Sequence, residues 1–147
     1  MAELDRDRVL AKIDDLDVYL NELKGIAPQS FEEYQEVEKK RACERLLQVS
    51  IETVIDICSL FVSGLRLGLP AEEEDLFKKL VDIHIISEEM GEKLREMRGF
   101  RNILVHEYAH VDDRLVYEAV KAKLGDFNSF KREALKFLRN KAGGEGK

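Results

Sequence analysis

A short segment near residue 100 gathers side chains that could act on a phosphodiester. Residues 97–108, MRGFRNILVHEY, hold two arginines, an asparagine, a histidine and a tyrosine. Arginine can clamp a phosphate through two parallel N–H bonds, and histidine can move a proton near neutral pH. Cleavage of a phosphodiester needs both functions. The alternative is a surface arginine, a helix-ending asparagine and a histidine packed at a helix end, since helical proteins hold many such clusters.

The spacing of this segment limits how a single helix could use it. With about 100° of rotation per residue, Asn102 lies about 40° from both Arg98 and His106, so these three share one stripe. Arg101 lies about 140° from His106. One straight helix therefore does not point Arg101 and His106 at the same atom unless the helix ends between them or a second subunit completes the site.

Tyr108 follows His106 where the helix is expected to end. Its phenol could bind a phosphate or accept a covalent group. The alternative is an aromatic ring that closes the core.

A second polar set lies on a long apolar helix. Glu52 and Asp56 are one turn apart in the run VSIETVIDICSL and share a face. Carboxylates among Ile, Val and Leu are costly to bury without cations or hydrogen-bond donors, and the arginines near residue 100 are candidate partners. One hypothesis makes both carboxylates orient Arg101 or His106, and the other makes them a helix–helix or subunit-interface salt bridge. A metal site is disfavoured because no third ligand has suitable spacing.

Five helical patterns are expected to position these residues. Apolar residues at steps of three and four predict helices over about 4–24, 30–66, 72–80, 87 into the 97–108 segment, and 112–138, with a kink left open in the long second helix. Ser30 and Glu33 form a capping box, and Gly68 and Pro70 end the long helix. Hairpin signals and period-two alternation are absent. We expect an all-α, up-and-down bundle of about five helices.

Composition indicates one globular domain over residues 1–140 and a flexible tail over 141–147, in a chain of 147 residues with 44% hydrophobic and 37% charged residues. The net charge of -6 argues against a protein that grips nucleic acid through its overall field, so any RNA contact must be local. Membrane-length apolar runs and a signal peptide are not apparent, which favours a cytoplasmic protein without membrane contact. Cys43 and Cys58 lie too far apart on one helix to pair. No metal or cofactor is expected.

The motif and its surroundings resemble a known family. Arg101, His106 and Tyr108 match the R-x4-H-x-Y signature of HepT-like proteins in the HEPN superfamily, and the resemblance extends over roughly residues 4–138, including RLLQVSIETVIDI and GLPAEEEDLFKKL. It implies a HEPN-like helical homodimer with a cleft between subunits that brings the paired motifs together. It also implies the toxin of a two-gene toxin–antitoxin system, whose antitoxin is a minimal nucleotidyltransferase.

The resemblance further implies a metal-independent ribonuclease. Arg101 would bind or stabilise the scissile phosphate, Asn102 would help position it, and His106 would transfer the proton as the RNA 2′-hydroxyl attacks. Tyr108 would be the site where the antitoxin attaches AMP, which would screen the cleft. The residues expected to support the site are Arg98, Glu52 and Asp56.

Two other functions compete with the ribonuclease toxin. The main alternative is a non-enzymatic helical subunit that binds a nucleotidyltransferase as its substrate or regulator, which the net charge of -6 favours. A purely structural helical dimer is the third hypothesis.

Overall fold

The computed structural model describes residues 4–106 and 111–145, with side chains through residue 141. In these ranges the chain forms helices and no strand, which confirms the expected all-α class. Seven helices are described: α1 (Arg6–Ile26), α2 (Phe31–Tyr34), α3 (Val37–Gly64), α4 (Glu73–Asp82), α5 (Glu88–His106), α6 (Asp113–Ala122) and α7 (Leu124–Glu145).

The number of helices differs from the expected five because two of the expected helices are broken. The helix expected over 30–66 is divided between α2 and α3, where Glu36 has extended backbone angles (φ -62°, ψ 128°). Tyr34, at the end of α2, is fully buried, and its ring centroid lies 6.1 Å from that of Tyr117 in α6. Packing against α6 therefore sets the direction of α2 separately from that of α3.

The start of α2 shows the capping that the sequence predicts, with one change of partner. The Ser30 hydroxyl accepts a hydrogen bond from the Glu33 N–H at 3.1 Å. The Glu33 carboxylate accepts one from the N–H of Gln29, the residue before the cap, at 2.9 Å. This backbone hydrogen bond lowers the pKa of the Glu33 carboxyl.

The last expected helix is broken at Lys123, which separates α6 from α7. Asp112 caps α6, because its side chain accepts a hydrogen bond from the Arg114 N–H at 2.9 Å. Helix α7 continues to Glu145. The division into a domain over 1–140 and a tail over 141–147 stays a prediction.

Helix α3 lies at the centre of the bundle and packs against α1, α4 and α5. Length and composition alone would also allow α3 to cross a membrane, contrary to the expectation from the apolar runs. In this fold its apolar side chains form the core with those of α1. The buried residues of α3 include Leu47, Ile51, Val54, Ile55, Ile57, Cys58 and Phe61, and those of α1 are Val9, Ile13, Leu16, Leu20 and Leu23.

The end of α3 makes a close contact with the chain just before α1. A Cβ atom added to Gly64 would lie 2.7 Å from the Cα and 3.1 Å from the Cδ1 of Leu4. Real Cβ atoms do not approach other atoms so closely, so glycine is needed here for close packing.

Candidate active site

Arg101 lies on α5 and is held by partners from three helices. Its side chain is only 13% exposed. Its Nε donates to the Oδ1 of Asn102 at 2.9 Å, and its Nη2 donates to the Oε1 of Glu73 at the start of α4. Its Nη1 lies 3.7 Å from the Oε2 of Glu52 on α3, too far for a hydrogen bond. Among the described contacts, Nη1 therefore keeps both of its N–H groups for a further anion, and Nη2 keeps one.

Glu73 joins two arginines of α5 at the first residue of α4. Its Oε1 accepts hydrogen bonds from Arg101 and from the Nε of Arg98, the latter at 3.1 Å. Arg98 also donates from Nη1 to the Oε1 of Glu74 at 3.4 Å. With Glu52 included, two arginines face three carboxylates, so this cluster carries a net charge of -1.

The two carboxylates predicted on α3 have different partners. Glu52 lies against Arg101 and accepts a hydrogen bond from the Nε2 of Gln48 at 3.3 Å. The side chain of Asp56 is 54% exposed and pairs with Lys12 of α1 at 3.2 Å. The expectation of arginine partners for both carboxylates therefore needs correction for Asp56. The rotation of about 40° between the two positions turns Asp56 toward α1 and leaves Glu52 toward α5.

His106 is the last residue of α5 and is exposed. It lies about 7.5 Å along the helix from Arg101 and about 140° around it. Because Arg101 faces α3 and α4, His106 lies on another side of α5. Within one subunit, Arg101 and His106 therefore do not point at the same atom, as the spacing of the motif predicts. Tyr108 lies outside the described residues.

No three His, Cys, Asp or Glu side chains are arranged to hold a metal ion within residues 4–106 and 111–145. The ion pairs of Arg98 and Arg101 occupy the carboxylates nearest the motif. The functional groups that this cluster offers, among the described residues, are therefore guanidinium, carboxylate and amide groups.

A match to a known protein family covers most of the chain. Residues 16–134 match the family described as "Ribonuclease HepT-like". The chain belongs to the HepT-like ribonuclease family. The resemblance carried by the R-x4-H-x-Y motif is thereby confirmed.

Named relatives and solved structures agree with this assignment to the HepT-like family. The chain is 30% identical to the tRNA nuclease HepT of Aphanizomenon flos-aquae over 121 residues, which are 82% of each chain. It is 33% identical to the mRNA nuclease HepT of Shewanella oneidensis over 84 residues, which are 57% of this chain and 63% of that protein.

Two solved structures share the fold over nearly their whole length. YutE of Bacillus subtilis, described as a cytosolic protein of unknown function, has a TM-score of 0.82 and 22% identity, covering 97% of this chain and 96% of its own. The tri-AMPylated Shewanella oneidensis HEPN toxin in complex with the MNT antitoxin has a TM-score of 0.81 and 25% identity, covering 87% and 96%. The HEPN-like helical fold is thus established.

The contacts of this HepT-like chain include one residue that its sequence pattern does not single out. Glu73 belongs to an acidic group, 72–75, whose position suits a helix N-terminus. Glu72 and Asp75 do form a capping box there. The additional contact of Glu73 with Arg101 depends on how α4 packs against α5. The sequence feature that could have indicated Glu73 is this acidic cluster, because it lies between the helix that carries Glu52 and the helix that carries Arg101.

Proposed function

We propose that this chain is the toxin of a toxin–antitoxin pair and acts in the cytoplasm as a metal-independent endoribonuclease. The observation that carries the proposal is the guanidinium of Arg101, fixed by Glu73, Glu52 and Asn102 with Nη1 still able to donate. The R-x4-H-x-Y motif and the relatives named as tRNA and mRNA nucleases support it.

Arg101 is proposed to bind the scissile phosphate and to stabilise the charge that builds on it. A guanidinium already fixed at Nε and Nη2 loses little conformational freedom when its remaining N–H groups bind phosphate. Donors held in place before the reaction stabilise a transition state without reorganising. Asn102 contributes by accepting from Nε, so it positions Arg101 and through it the phosphate.

His106 is proposed to move the proton of the attacking group. The RNA 2′-oxygen forms a bond to phosphorus as its proton passes to the imidazole, and the bond from phosphorus to the 5′-oxygen breaks as that oxygen takes up the proton that the imidazolium gives back. The products are a 2′,3′-cyclic phosphate and a 5′-hydroxyl. This chemistry draws its nucleophile from the RNA itself, so it needs no metal-bound water.

A second copy of the chain is proposed to complete the site. Arg101 and His106 lie on different sides of α5, so two α5 ends related by a two-fold axis can bring Arg101 of one subunit to His106 of the other. A twofold interface would form two such sites. RNA would be cut in the cleft between the subunits.

Tyr108 is proposed as the off-switch, the acceptor of AMP from a minimal nucleotidyltransferase antitoxin. The support is the motif, together with the AMPylated state and the antitoxin complex described for the Shewanella toxin. An AMP group two residues from His106 adds an anionic phosphodiester that competes with RNA for Arg101. Such a block requires no change of fold.

Mixed dimers test both the activity and the shared site. Arg101→Ala and His106→Ala are each expected to lower RNA cleavage in the presence of a chelator by about 10² or more. After subunit exchange between equal amounts of the two inactive variants, about half of the dimers contain one subunit of each kind. Each of these mixed dimers has one complete site of its two, so about a quarter of the wild-type activity is expected to return.

The outcome of this experiment separates the elements of the proposal. Cleavage by wild type that survives in both single variants contradicts the assigned chemistry. Activity that is lost in each variant and does not return on mixing contradicts the shared site while leaving the ribonuclease intact.

The main rival is a binding subunit that serves a nucleotidyltransferase without cutting RNA. The net charge of -1 on the described cluster favours it, since this cluster by itself does not attract a polyanion. A wild-type dimer that takes AMP from the antitoxin on Tyr108 and cleaves no RNA before modification would support this rival.

A further inference from the structure

Helix α3 carries a polar stripe that leads away from the Arg101 cluster. Arg41, Arg45, Gln48 and Glu52 recur at steps of three and four, so they lie within a stripe about 60° wide. The Glu52 end of the stripe contacts Arg101. The stripe therefore starts at the proposed phosphate site and continues toward the beginning of α3.

Two ion pairs give the direction of this stripe relative to the motif. Glu52 pairs with Arg101 at 3.7 Å. Lys40, which precedes Glu52 by twelve residues, pairs at 2.8 Å with Asp113, which follows Arg101 by twelve residues. Helices α3 and α5 therefore run antiparallel here, and the beginning of α3 lies beside the end of α5.

The register places Arg45 level with the end of α5. Arg45 lies about 10 Å from Glu52 along α3, because seven residues each rise about 1.5 Å. His106 lies about 7.5 Å beyond Arg101 in the same direction. Arg45 is therefore level with the His106 end of the motif along the helix axis.

Arg45 is also the member of this stripe whose charge is not already matched. It is exposed and makes no ion pair with any residue in the described part of the chain. Arg41, one turn away, donates to Glu44 at 2.7 Å, and Lys40 is held by Asp113. An external anion at this position would therefore find the guanidinium of Arg45 unoccupied.

We propose that Arg45 binds an RNA phosphate next to the scissile one. The inference rests on the proposed ribonuclease function and names a contact for its substrate. The whole chain has a net charge of -6 and the Arg101 cluster one of -1, so attraction of RNA has to come from local, unmatched cations. A guanidinium is suited to this contact because its planar fork binds phosphate oxygens in pairs.

The salt dependence of RNA binding tests this interaction directly. Arg45→Ala is prepared in the full-length His106→Ala protein, and its affinity for a labelled single-stranded RNA is measured by fluorescence anisotropy between about 50 and 200 mM KCl. The slope of log affinity against log salt is expected to become shallower by about 0.7 for each phosphate that the variant no longer binds. Affinity at the lowest salt is expected to fall about tenfold, with part of it restored by Arg45→Lys.

The matched control is Arg95→Ala, which removes another exposed arginine, on α5, that has no ion pair among the described residues. Its salt slope is expected to equal that of the parent protein. A further arm compares cleavage by otherwise wild-type protein with and without Arg45→Ala.

Each outcome bears on one of the two proposals. An unchanged slope in Arg45→Ala, an equal change in Arg95→Ala, or a parent protein that binds no RNA overturns the phosphate contact. Loss of AMP transfer by the antitoxin with RNA binding intact also overturns it, and assigns Arg45 to the antitoxin surface. Arg45-dependent RNA binding without cleavage by the wild-type protein supports the contact and refutes the ribonuclease.

Discussion

Replacing Glu73 with glutamine removes the charge that joins Arg98 to Arg101 while keeping nearly the same side-chain shape. The Glu73 side chain is 37% exposed and that of Arg101 is 13% exposed, so the bridge is partly shielded from water. A hydrogen bond to a charged group contributes about 1.5–3 kcal/mol when buried, and solvent reduces this. We therefore expect a loss of about 1 kcal/mol of unfolding free energy, or about 2–4 °C in Tm.

The effect of Glu73→Gln on activity is expected to exceed its effect on folding. Arg101 keeps Asn102 and Glu52 but loses the charged partner of Nη2, so its guanidinium samples orientations that do not meet the phosphate. A cost of about 1.4 kcal/mol in the transition state corresponds to about a tenfold lower kcat. KM for RNA is expected to change less, because Glu73 acts on the position of Arg101.

Glu74→Gln is the matched control for this experiment. It makes the same charge change at the next residue, whose one hydrogen-bond partner among the described residues is Arg98, at 3.4 Å. We expect a kcat within about twofold of wild type and a stability change below about 0.5 kcal/mol, as for exposed ion pairs. Steady-state cleavage in a chelator and urea unfolding measure the two quantities.

Two results would refute this reasoning. Faster cleavage or tighter RNA binding by Glu73→Gln would show that Glu73 competes with phosphate for Arg101. Equal losses in Glu73→Gln and Glu74→Gln would assign the effect to negative charge at the start of α4, where it interacts with the helix dipole.

Three further predictions concern stability. Gly64→Ala is expected to cost about 1–3 kcal/mol in urea unfolding, whereas Gly25→Ala, with open space around its Cβ, is expected to cost nothing. Burial and a nearby carboxylate raise the pKa of the Tyr34 hydroxyl above that of an unfolded tyrosine. The free energy of unfolding is therefore expected to be unaffected by this group below about pH 10 and to fall as the pH rises above it. Tyr34→Phe should reduce this alkaline loss of stability, measured as the urea midpoint against pH. Burial raises the pKa of Cys43 and Cys58, so iodoacetamide should label them only after unfolding.

Apolar spacing predicted where most helices lie, but it could not place the break before α3. Tyr34 and Val37 both continue the same pattern in the sequence. In the fold Tyr34 is fully buried and Val37 is 69% exposed, because the extended Glu36 reorients the chain between them. A periodic pattern records the spacing of apolar residues and carries no information about a change of axis.

The residues of the candidate site are predictable where each belongs to a local pattern. Glu52 and the arginines near residue 100 each lie in a pattern that spans a few turns of one helix. The bridge from Glu73 to Arg101 spans 28 residues, and the partner of Asp56 is 44 residues away. Such contacts depend on how helices pack, which the order of residues in one helix does not determine.

The charge balance of the cluster explains why its two arginines are suited to different tasks. Arg98 is tied to both Glu73 and Glu74, and it thereby fixes the carboxylate that also orients Arg101. Arg101 needs partners because it is largely buried, yet a guanidinium saturated by carboxylates could not bind phosphate. The distance of 3.7 Å between Nη1 and Glu52 satisfies both demands, since it matches the charge and leaves the N–H groups to donate. In the proposed site, Glu52 therefore balances the charge of Arg101 without taking up its N–H groups.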